Sequence, residues 1–284
     1  MYNFPIGVII ESFKTDTKTA IEKASALGAK GIQMYATKGD HAPENLNPAQ
    51  RRELLDMVKS SGLCFSALCG DLGKGFSHPE LNPELIEKSK RILDLAKDLE
   101  TDIVTTHIGV VPTDKSNPRY AIIQEACHEL AEYADSVDAH FAIETGPETS
   151  AVLKEFLDGL NSRGVAVNLD PANLVMVTGD DPVVAVHNLK DYIVHTHAKD
   201  GIMLERTNPE YIYRVTPMPE ECKGIKFFKE VALGEGSVDF TAYLKALEEV
   251  GYRGFLTIER EVGDDPAADI LKAKNHLTNI INNN

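Results

Sequence analysis

Four short apolar stretches in the second half of the chain each end on a side chain that can bind a metal ion or transfer a proton. The stretches are HFAIE, VAVNLD, YIVHTH and GFLTIE, and their last residues are Glu144, Asp170, His197 and Glu259. Turn or loop residues follow each stretch, as expected for a buried strand that ends on a functional group. Parallel neighbouring strands would bring the four side chains together at one edge of a sheet.

Three carboxylates and one imidazole form an oxygen-rich ligand set. Such a set suits Mn²⁺, Mg²⁺ or Co²⁺ better than a soft-ligand site would, and ligand type alone also permits Zn²⁺. We favour Mn²⁺. A divalent ion at this position can hold two vicinal oxygens of a sugar and stabilise the enediolate that forms when the neighbouring carbon loses a proton. Glu144 and Glu259 are the candidate catalytic pair, one removing the proton and the other returning it.

Taken singly, these residues have simpler explanations. Asp170 precedes Pro171 and is also a suitable helix cap. Glu259 begins the charged run EREVGDD, which is compatible with a solvated surface, and His197 is compatible with a buried histidine that only satisfies hydrogen bonds. The occurrence of all four on successive predicted strands favours a joint metal site.

Four further residues are candidates for substrate binding: His107, Asn173, Lys199 and Arg206. His107 lies near the end of the fourth predicted strand, where packing at the strand end is the alternative. Lys199 can reach an oxyanion or a phosphate, or it can be a surface lysine paired with Asp200. Arg206 and Arg260 are the candidate partners of a phosphate if the substrate carries one.

His195 and His197 are two residues apart, so they face the same side of a strand. Either histidine is a candidate ligand, with the other supporting it. Glu11, at the end of the first predicted strand, and Glu235, in LGEG, face the same end of the sheet but carry little specificity.

The elements that position these residues repeat eight times as a short Val/Ile/Leu-rich run, a polar turn and an amphipathic stretch of ten or more residues. This alternation predicts parallel strands joined by helices. Asp16 or Thr15 is expected to cap the first helix, and Asn-Pro pairs at 47–48, 82–83 and 117–118 are expected to open later helices.

No glycine-rich dinucleotide motif follows the first strand, where the sequence reads IIESFK. A count of eight strands permits closure, so we predict the α/β class and a single (β/α)8 TIM barrel. One domain is expected over residues 1–284. Residues 198–234, after the seventh strand, show no sustained period and are expected to form a long lid or binding loop over the active-site face.

The composition is that of an ordinary globular protein, with 43% hydrophobic residues and a formal net charge of −15. Such an acidic chain is a poor partner for nucleic acid, which is bound by clustered Lys and Arg. The sequence shows neither a long apolar run nor a leader peptide, so we expect a soluble cytoplasmic protein without a membrane partner. The four cysteines form no CxxC pair and are expected to be reduced.

Five segments, IETGPE, NLDPANL, VHTHAKDG, VALGEGSVDF and LTIERE, resemble the signature segments of the xylose isomerase-like barrel superfamily. The resemblance is to its sugar phosphate isomerase/epimerase branch, which includes ketose 3-epimerases, hydroxypyruvate isomerase and inosose dehydratase. It runs from the first strand to the eighth, with the specific motifs in the second half. It implies a divalent metal held by Glu144, Asp170, His197 and Glu259, and two glutamates that exchange a proton through an enediolate.

The sequence departs from the patterns of this branch at two places. Asn173 stands where many relatives have a histidine, and TGPETS stands where ketose 3-epimerases often carry an Arg-containing motif. An asparagine still hydrogen-bonds a sugar hydroxyl but is a poor metal ligand. These differences leave the exact substrate open.

The leading functional hypothesis is a metal-dependent isomerase or epimerase of a small sugar or sugar phosphate. A lyase similar to inosose dehydratase is second, because the same base can abstract the proton while an acid expels a β-hydroxyl. A metal-dependent phosphodiesterase resembling the AP endonucleases is disfavoured by Asn173 and by the charge. A non-catalytic sugar-binding or metal-binding protein also fits the fold. Barrels of this kind often associate in pairs, and by this analogy a homo-oligomer is also compatible with the sequence.

Overall fold

A closed barrel of eight parallel strands forms the centre of the computed structural model, which describes residues 2–283. Met1 and Asn284, the ends of the predicted range, lie outside the described residues. The strands are β1 (Ile6–Ile9), β2 (Gly31–Tyr35), β3 (Cys64–Cys69), β4 (Ile103–Thr106), β5 (His140–Glu144), β6 (Val165–Leu169), β7 (Ile193–Ala198), β8 (Asp200–Met203), β9 (Phe228–Val231) and β10 (Leu256–Ile258). Around the barrel their order is β1-β10-β7-β6-β5-β4-β3-β2. The predicted TIM barrel is confirmed.

Helices cover the outside of the barrel between successive strands. They are α1 (Thr17–Ala26), α2 (Pro48–Ser60), α3 (Asn82–Asp98), α4 (Pro118–Ser136), α5 (Ser150–Leu160), α6 (Pro171–Asn173), α7 (Pro182–Leu189), α8 (Pro209–Ile212), α9 (Phe240–Glu249) and α10 (Pro266–Asn283). A π-helical turn, Leu174–Thr178, continues α6. Within residues 2–283, no helix has both the length and the apolar character needed to cross a membrane.

Most of the predicted helix caps are present. Asp16 accepts from the backbone N–H of Thr19 at 3.0 Å, and Asn47 forms a capping box with Gln50. Asn117 caps α4 by accepting from the backbone N–H of Arg119 at 3.0 Å. Asn82 and Pro83 open α3 as expected, but Asn82 is its first residue rather than its cap, and its side-chain amide donates to the carbonyl of Phe76 at 2.9 Å.

Apolar side chains between the strands and the surrounding helices form the main core. In α3, Ile92, Leu93 and Leu95 are buried against the barrel, as their periodic spacing predicts. Each such side chain stabilises the fold by about 1.5–3 kcal/mol relative to an exposed one. The packed helices therefore hold the strands rigidly enough to fix the side chains at their ends.

Residues 198–234 contain ordered elements that the sequence pattern does not reveal. β8 and β9 pair as an antiparallel hairpin, with Asp200 opposite Val231. Each strand has four residues, which is too short for a recognisable alternation. The Asp200 carboxylate closes the base of this excursion by accepting four backbone N–H groups, those of Gly201, Gly234, Gly236 and Val238, at 2.8–3.2 Å.

Candidate active site

The four side chains singled out from the sequence converge at the carboxyl ends of the strands. Their ligand atoms all lie within 4.8 Å of one another, and all four residues are buried. The Nδ1 atom of His197 lies 3.1 Å from Oε2 of Glu259, 3.6 Å from Oε1 of Glu144 and 3.7 Å from Oδ2 of Asp170. We refer to these four residues as the acidic cluster.

Barrel topology explains this convergence. The strands β5, β6, β7 and β10 are consecutive neighbours around the barrel, although β10 is far from β7 along the chain. Glu144 is the last residue of β5, Asp170 follows β6, and Glu259 follows β10. His197 is paired in register with Thr257, two residues before Glu259. Parallel strands thus deliver all four groups to one end of the barrel.

Asp170 caps a helix, as its position before Pro171 predicts, and the same carboxylate also belongs to the acidic cluster. Its Oδ1 atom accepts from the backbone N–H groups of Ala172 at 2.8 Å and Asn173 at 3.1 Å. Its Oδ2 atom is buried, faces His197 and has no hydrogen-bond partner among the described residues. A buried carboxylate oxygen without a partner is costly unless a cation neutralises it.

Gln33 orients the imidazole of His197. The Nε2–H of His197 donates to Oε1 of Gln33 at 3.0 Å, and the Gln33 amide donates in turn to Oγ1 of Thr105 at 3.0 Å. Since Nε2 carries the hydrogen, Nδ1 faces the carboxylates, which requires a proton or a metal cation between them. The donor set and this orientation fit a divalent cation. Sequence reasoning missed Gln33, although an amide inside the apolar strand GIQMY was a usable signal.

His195 lies one layer below the acidic cluster and does not join it. Its two ring nitrogens contact Oδ1 of Asn168 and Oγ1 of Thr257, both at 2.9 Å. Burial, and then the neighbouring His197, lower the pKa of His195, so its ring stays neutral. The Asn168 amide donates to Oε2 of Glu144 at 3.2 Å. His195 therefore positions Asn168, which holds Glu144.

Both candidate catalytic carboxylates are held in the ionised form. Burial alone would raise the pKa of Glu144, but the nearby His107 and His197 outweigh it and lower this pKa. Burial likewise opposes the charge of Glu259, and Lys199 and His197 hold the pKa of that carboxyl well below its usual range. Glu144 and Glu259 are thus available as ligands and as proton acceptors at neutral pH.

Lys199 is a buried member of the site, with 6% of its surface exposed. Its Nζ lies 3.2 Å from Oε2 of Glu259, 3.6 Å from Glu261 and 3.9 Å from Oδ2 of Asp170. The alternative pairing with Asp200 does not occur, because backbone N–H groups occupy that carboxylate. The two-residue spacing that links His195 and His197 extends to Lys199 and predicts this inward orientation.

The other predicted substrate-binding residues fall into two groups. Asn173 donates to Oε1 of Glu144 at 3.0 Å, and Nε2 of His107 lies 3.6 Å from the same oxygen; both residues line the cavity above the acidic cluster. Arg206 lines a neighbouring cavity instead. Arg260 points away, with Nη1 2.6 Å from Glu230 and Nε 2.8 Å from Asp269.

The cavity above the acidic cluster has a volume of about 230 Å³. Several of its walls come from loops and from the β8–β9 hairpin, which sequence reasoning did not assign to the site. These additional lining residues include Tyr35, Asp71, Met176, Tyr213, Glu230 and Glu261. Tyr213, just after α8, packs edge-on against the His107 ring with centroids 5.8 Å apart.

A parallel barrel with a buried acid and imidazole cluster at its carboxyl end defines a class of barrel proteins with a candidate metal centre. Comparison with known proteins identifies the family. The chain belongs to the xylose isomerase-like TIM barrel family, whose sequence model matches residues 21–280. The resemblance inferred from the sequence motifs is confirmed.

Individual relatives include sugar epimerases and dehydratases. An inosose dehydratase from Lacticaseibacillus casei is 28% identical over 148 residues, which are 50% of this chain and 47% of the dehydratase, so the match spans about half of that relative. A putative L-ribulose-5-phosphate 3-epimerase from Haemophilus influenzae is 23% identical over 273 residues, or 88% of this chain and 86% of the epimerase. A crystal structure of a xylose isomerase domain protein from Planctomyces limnophilus is 26% identical, with a TM-score of 0.81 and 99% of each chain covered.

Proposed function

We propose that this protein is a divalent-metal-dependent isomerase or epimerase of a small sugar that transfers a proton with Glu144 and Glu259. One relationship carries the proposal: the two carboxylates come from the ends of β5 and β10, which β6 and β7 separate, they lie 3.6 Å and 3.1 Å from His197 Nδ1, and both line the same cavity. Two ionised acids that flank one small cavity can serve opposite faces of one substrate carbon.

Glu144, Asp170, His197 and Glu259 would hold the metal ion. When bound, a divalent ion polarises the substrate carbonyl and fixes two neighbouring oxygens. Its identity remains part of the proposal, with Mn²⁺ favoured by the oxygen-rich ligands.

The protein's own side chains account for the proton transfer. One glutamate accepts the proton from the carbon next to the carbonyl, which leaves an enediolate. The other glutamate, which is ionised at rest, first takes up a proton from solvent and then donates it to the opposite face. Asn168 and Asn173 hold the two oxygens of Glu144 at 3.2 Å and 3.0 Å, and Lys199 holds Glu259 at 3.2 Å. Each carboxylate is thus fixed at its working position before the substrate arrives.

Dehydration of a cyclic polyol ketone is the second candidate reaction. The Lys199 ammonium lies beside Glu259 and lines the cavity, where it can donate a hydrogen bond to a departing hydroxyl. In this case a glutamate removes the proton next to the carbonyl, the β-hydroxyl takes a proton from the Lys199 ammonium and leaves as water, and a carbon–carbon double bond forms next to the carbonyl. Product analysis separates the two reactions.

Solvent exchange tests the proposal. The Mn²⁺-loaded protein is incubated in D₂O with ketoses, ketose phosphates, hydroxypyruvate and inososes, and deuterium next to the carbonyl is followed by NMR. Glu144→Gln and Glu259→Gln should each slow exchange by about 10²–10⁴-fold, the usual contribution of a general acid or base. Glu22→Gln, on the exposed face of α1, serves as the control. Metal-loaded protein that exchanges no compound would refute both reactions for this panel.

A further inference from the structure

The cavity above the acidic cluster is lined by an excess of carboxylates. Its lining residues include Asp71, Glu144, Glu230, Glu259 and Glu261. Within residues 2–283, Lys199 is the only lysine or arginine that lines it, and this ammonium already pairs with Glu259 and Glu261. A divalent metal ion offsets only part of the remaining negative charge. A phosphate or carboxylate group on a substrate would therefore meet like charges.

The loops that most often bind phosphate in such barrels follow the seventh and eighth strands. After β7, backbone N–H groups that could bind a phosphate donate instead to a carboxylate of the protein itself, that of Asp200. Asp200 accepts from the backbone N–H groups of Gly234 at 3.0 Å and Gly236 at 2.9 Å, so these donors are not available to an anionic group of a substrate.

In the region after β10, the eighth strand of the barrel, another carboxylate of the protein accepts hydrogen bonds from the nearby donors. Oε1 of Glu230 accepts from the Arg260 guanidinium at 2.6 Å and from the backbone N–H of Glu261 at 3.1 Å. Glu230 is 8% exposed and comes from the β8–β9 hairpin. Its carboxylate thus occupies the donors that a phosphate group would use at this end of the barrel.

We infer that the site takes an uncharged polyhydroxy ketone, such as a free ketose or a cyclic inosose, and rejects phosphate esters and sugar acids. This inference rests on the proposed function and names its substrate class. The cavity of about 230 Å³ lies below the ~300–1,000 Å³ that is typical of pockets for drug-sized ligands, which suits a substrate as small as one monosaccharide. The charge of the walls, rather than the space, sets the selection.

A matched pair of substrates tests the inference. Solvent deuterium exchange is measured for a free ketose and for its own phosphate ester, with the same metal-loaded protein and at the same ionic strength. We expect kcat/KM to be at least 100-fold higher for the free ketose. A higher value for the ester would overturn the inference and leave the proposed proton transfer intact.

Binding distinguishes the two ideas if neither compound exchanges. Calorimetric titration of the metal-loaded protein compares an uncharged polyol ketone with its phosphate ester and with inorganic phosphate. Binding of the uncharged compound alone would support the inference while the proposed reaction fails. Tighter binding of either phosphate compound, or no binding of any compound, would overturn it.

Variants of the wall identify the groups responsible. Asp71→Asn keeps the side-chain oxygen that accepts from the backbone N–H of Gly73 at 2.8 Å, and Glu261→Gln removes a second charge without touching the acidic cluster. The double variant should reduce discrimination against the ester by at least tenfold, and Glu22→Gln should not change it. Unchanged discrimination in the double variant would show that wall charge does not select the substrate.

Discussion

The ammonium of Lys199 lies 3.2 Å from a carboxylate oxygen of Glu259, and both side chains are buried beneath the cavity. Lys199→Met removes the charge that keeps Glu259 ionised. We expect the exchange rate to fall about 10²–10³-fold, in the range found when one preorganised donor is removed from an active site. Stability should fall by about 3–5 kcal/mol in metal-free protein, because Glu259 loses a buried partner.

Kinetics and urea unfolding with and without metal measure these two effects. Lys245→Met is the control, since this lysine pairs with Glu249 on the exposed side of α9. Exchange within threefold of the unmodified protein would contradict a role for Lys199 at the site.

Asp170→Asn separates metal binding from helix capping. An asparagine oxygen can still accept from the N–H groups of Ala172 and Asn173, whereas the charge on Oδ2 is lost. Metal affinity should fall at least tenfold, with metal-free stability changed by less than about 1 kcal/mol. Chelator competition and thermal unfolding measure the two quantities. Asp181→Asn, at the cap of α7 outside the acidic cluster, should retain full metal affinity.

Gly146 permits the close approach of two side chains at the site. It has a φ of 153°, and an added Cβ would lie 2.7 Å from the Tyr213 hydroxyl and 2.9 Å from Cβ of Asn173. Gly146→Ala should therefore displace Asn173 from Glu144 and reduce exchange by about 10²-fold, as expected for a shift near 1 Å. Gly28→Ala has a comparably unfavourable φ of 78° with open space around it, so it should lower stability alone. Equal activity of the two variants would argue against this account.

Glu148 should make stability depend on pH. Burial raises its pKa to about 8, while an unfolded chain has the ordinary value near 4.5. The folded state thus binds more protons across this window, so the free energy of unfolding declines as pH rises from about 4.5 to 8.

Glu148→Gln replaces the carboxyl group with a neutral group of the same shape and should therefore remove this dependence of stability on pH. Relative to the unmodified protein, the variant should gain roughly 3–4 kcal/mol in unfolding free energy between pH 5 and pH 8. Urea titrations at several pH values measure the difference. A constant difference between the two proteins would show that Glu148 does not titrate in this range.

The barrel and the acidic cluster could be predicted from the sequence because each produces a local sequence pattern. Buried parallel strands are continuous apolar runs, and a polar residue that follows such a run lies at the strand end. Glu144, Asp170 and His197 illustrate this rule. The order of the strands around the barrel then brings residues as distant as Glu144 and Glu259 together.

The residues that form the walls of the cavity could not be predicted from the sequence, because their positions depend on long-range packing. Glu230 and Tyr213 come from residues 198–234, where short strands and turns give no repeating signal. Asp71 follows β3 in an irregular loop. Arg206 and Arg260 are chemically suited to phosphate, but neither lines the cavity, and only tertiary structure shows where a long side chain points.

The pairing of β8 with β9 holds together the two ends of the long segment that follows β7. Asp200 strengthens this closure by accepting from the backbone N–H of Gly234. Between these two strands, residues 204–227 reach the cavity only through Ile212 and Tyr213. This part of the chain is therefore an exchangeable module: its replacement would change one wall of the cavity, while the proposed metal ligands, which the barrel strands carry, would stay in place. If the proposed function holds, we expect that grafting the corresponding segment of a relative between Met203 and Phe228 changes which sugars the site accepts.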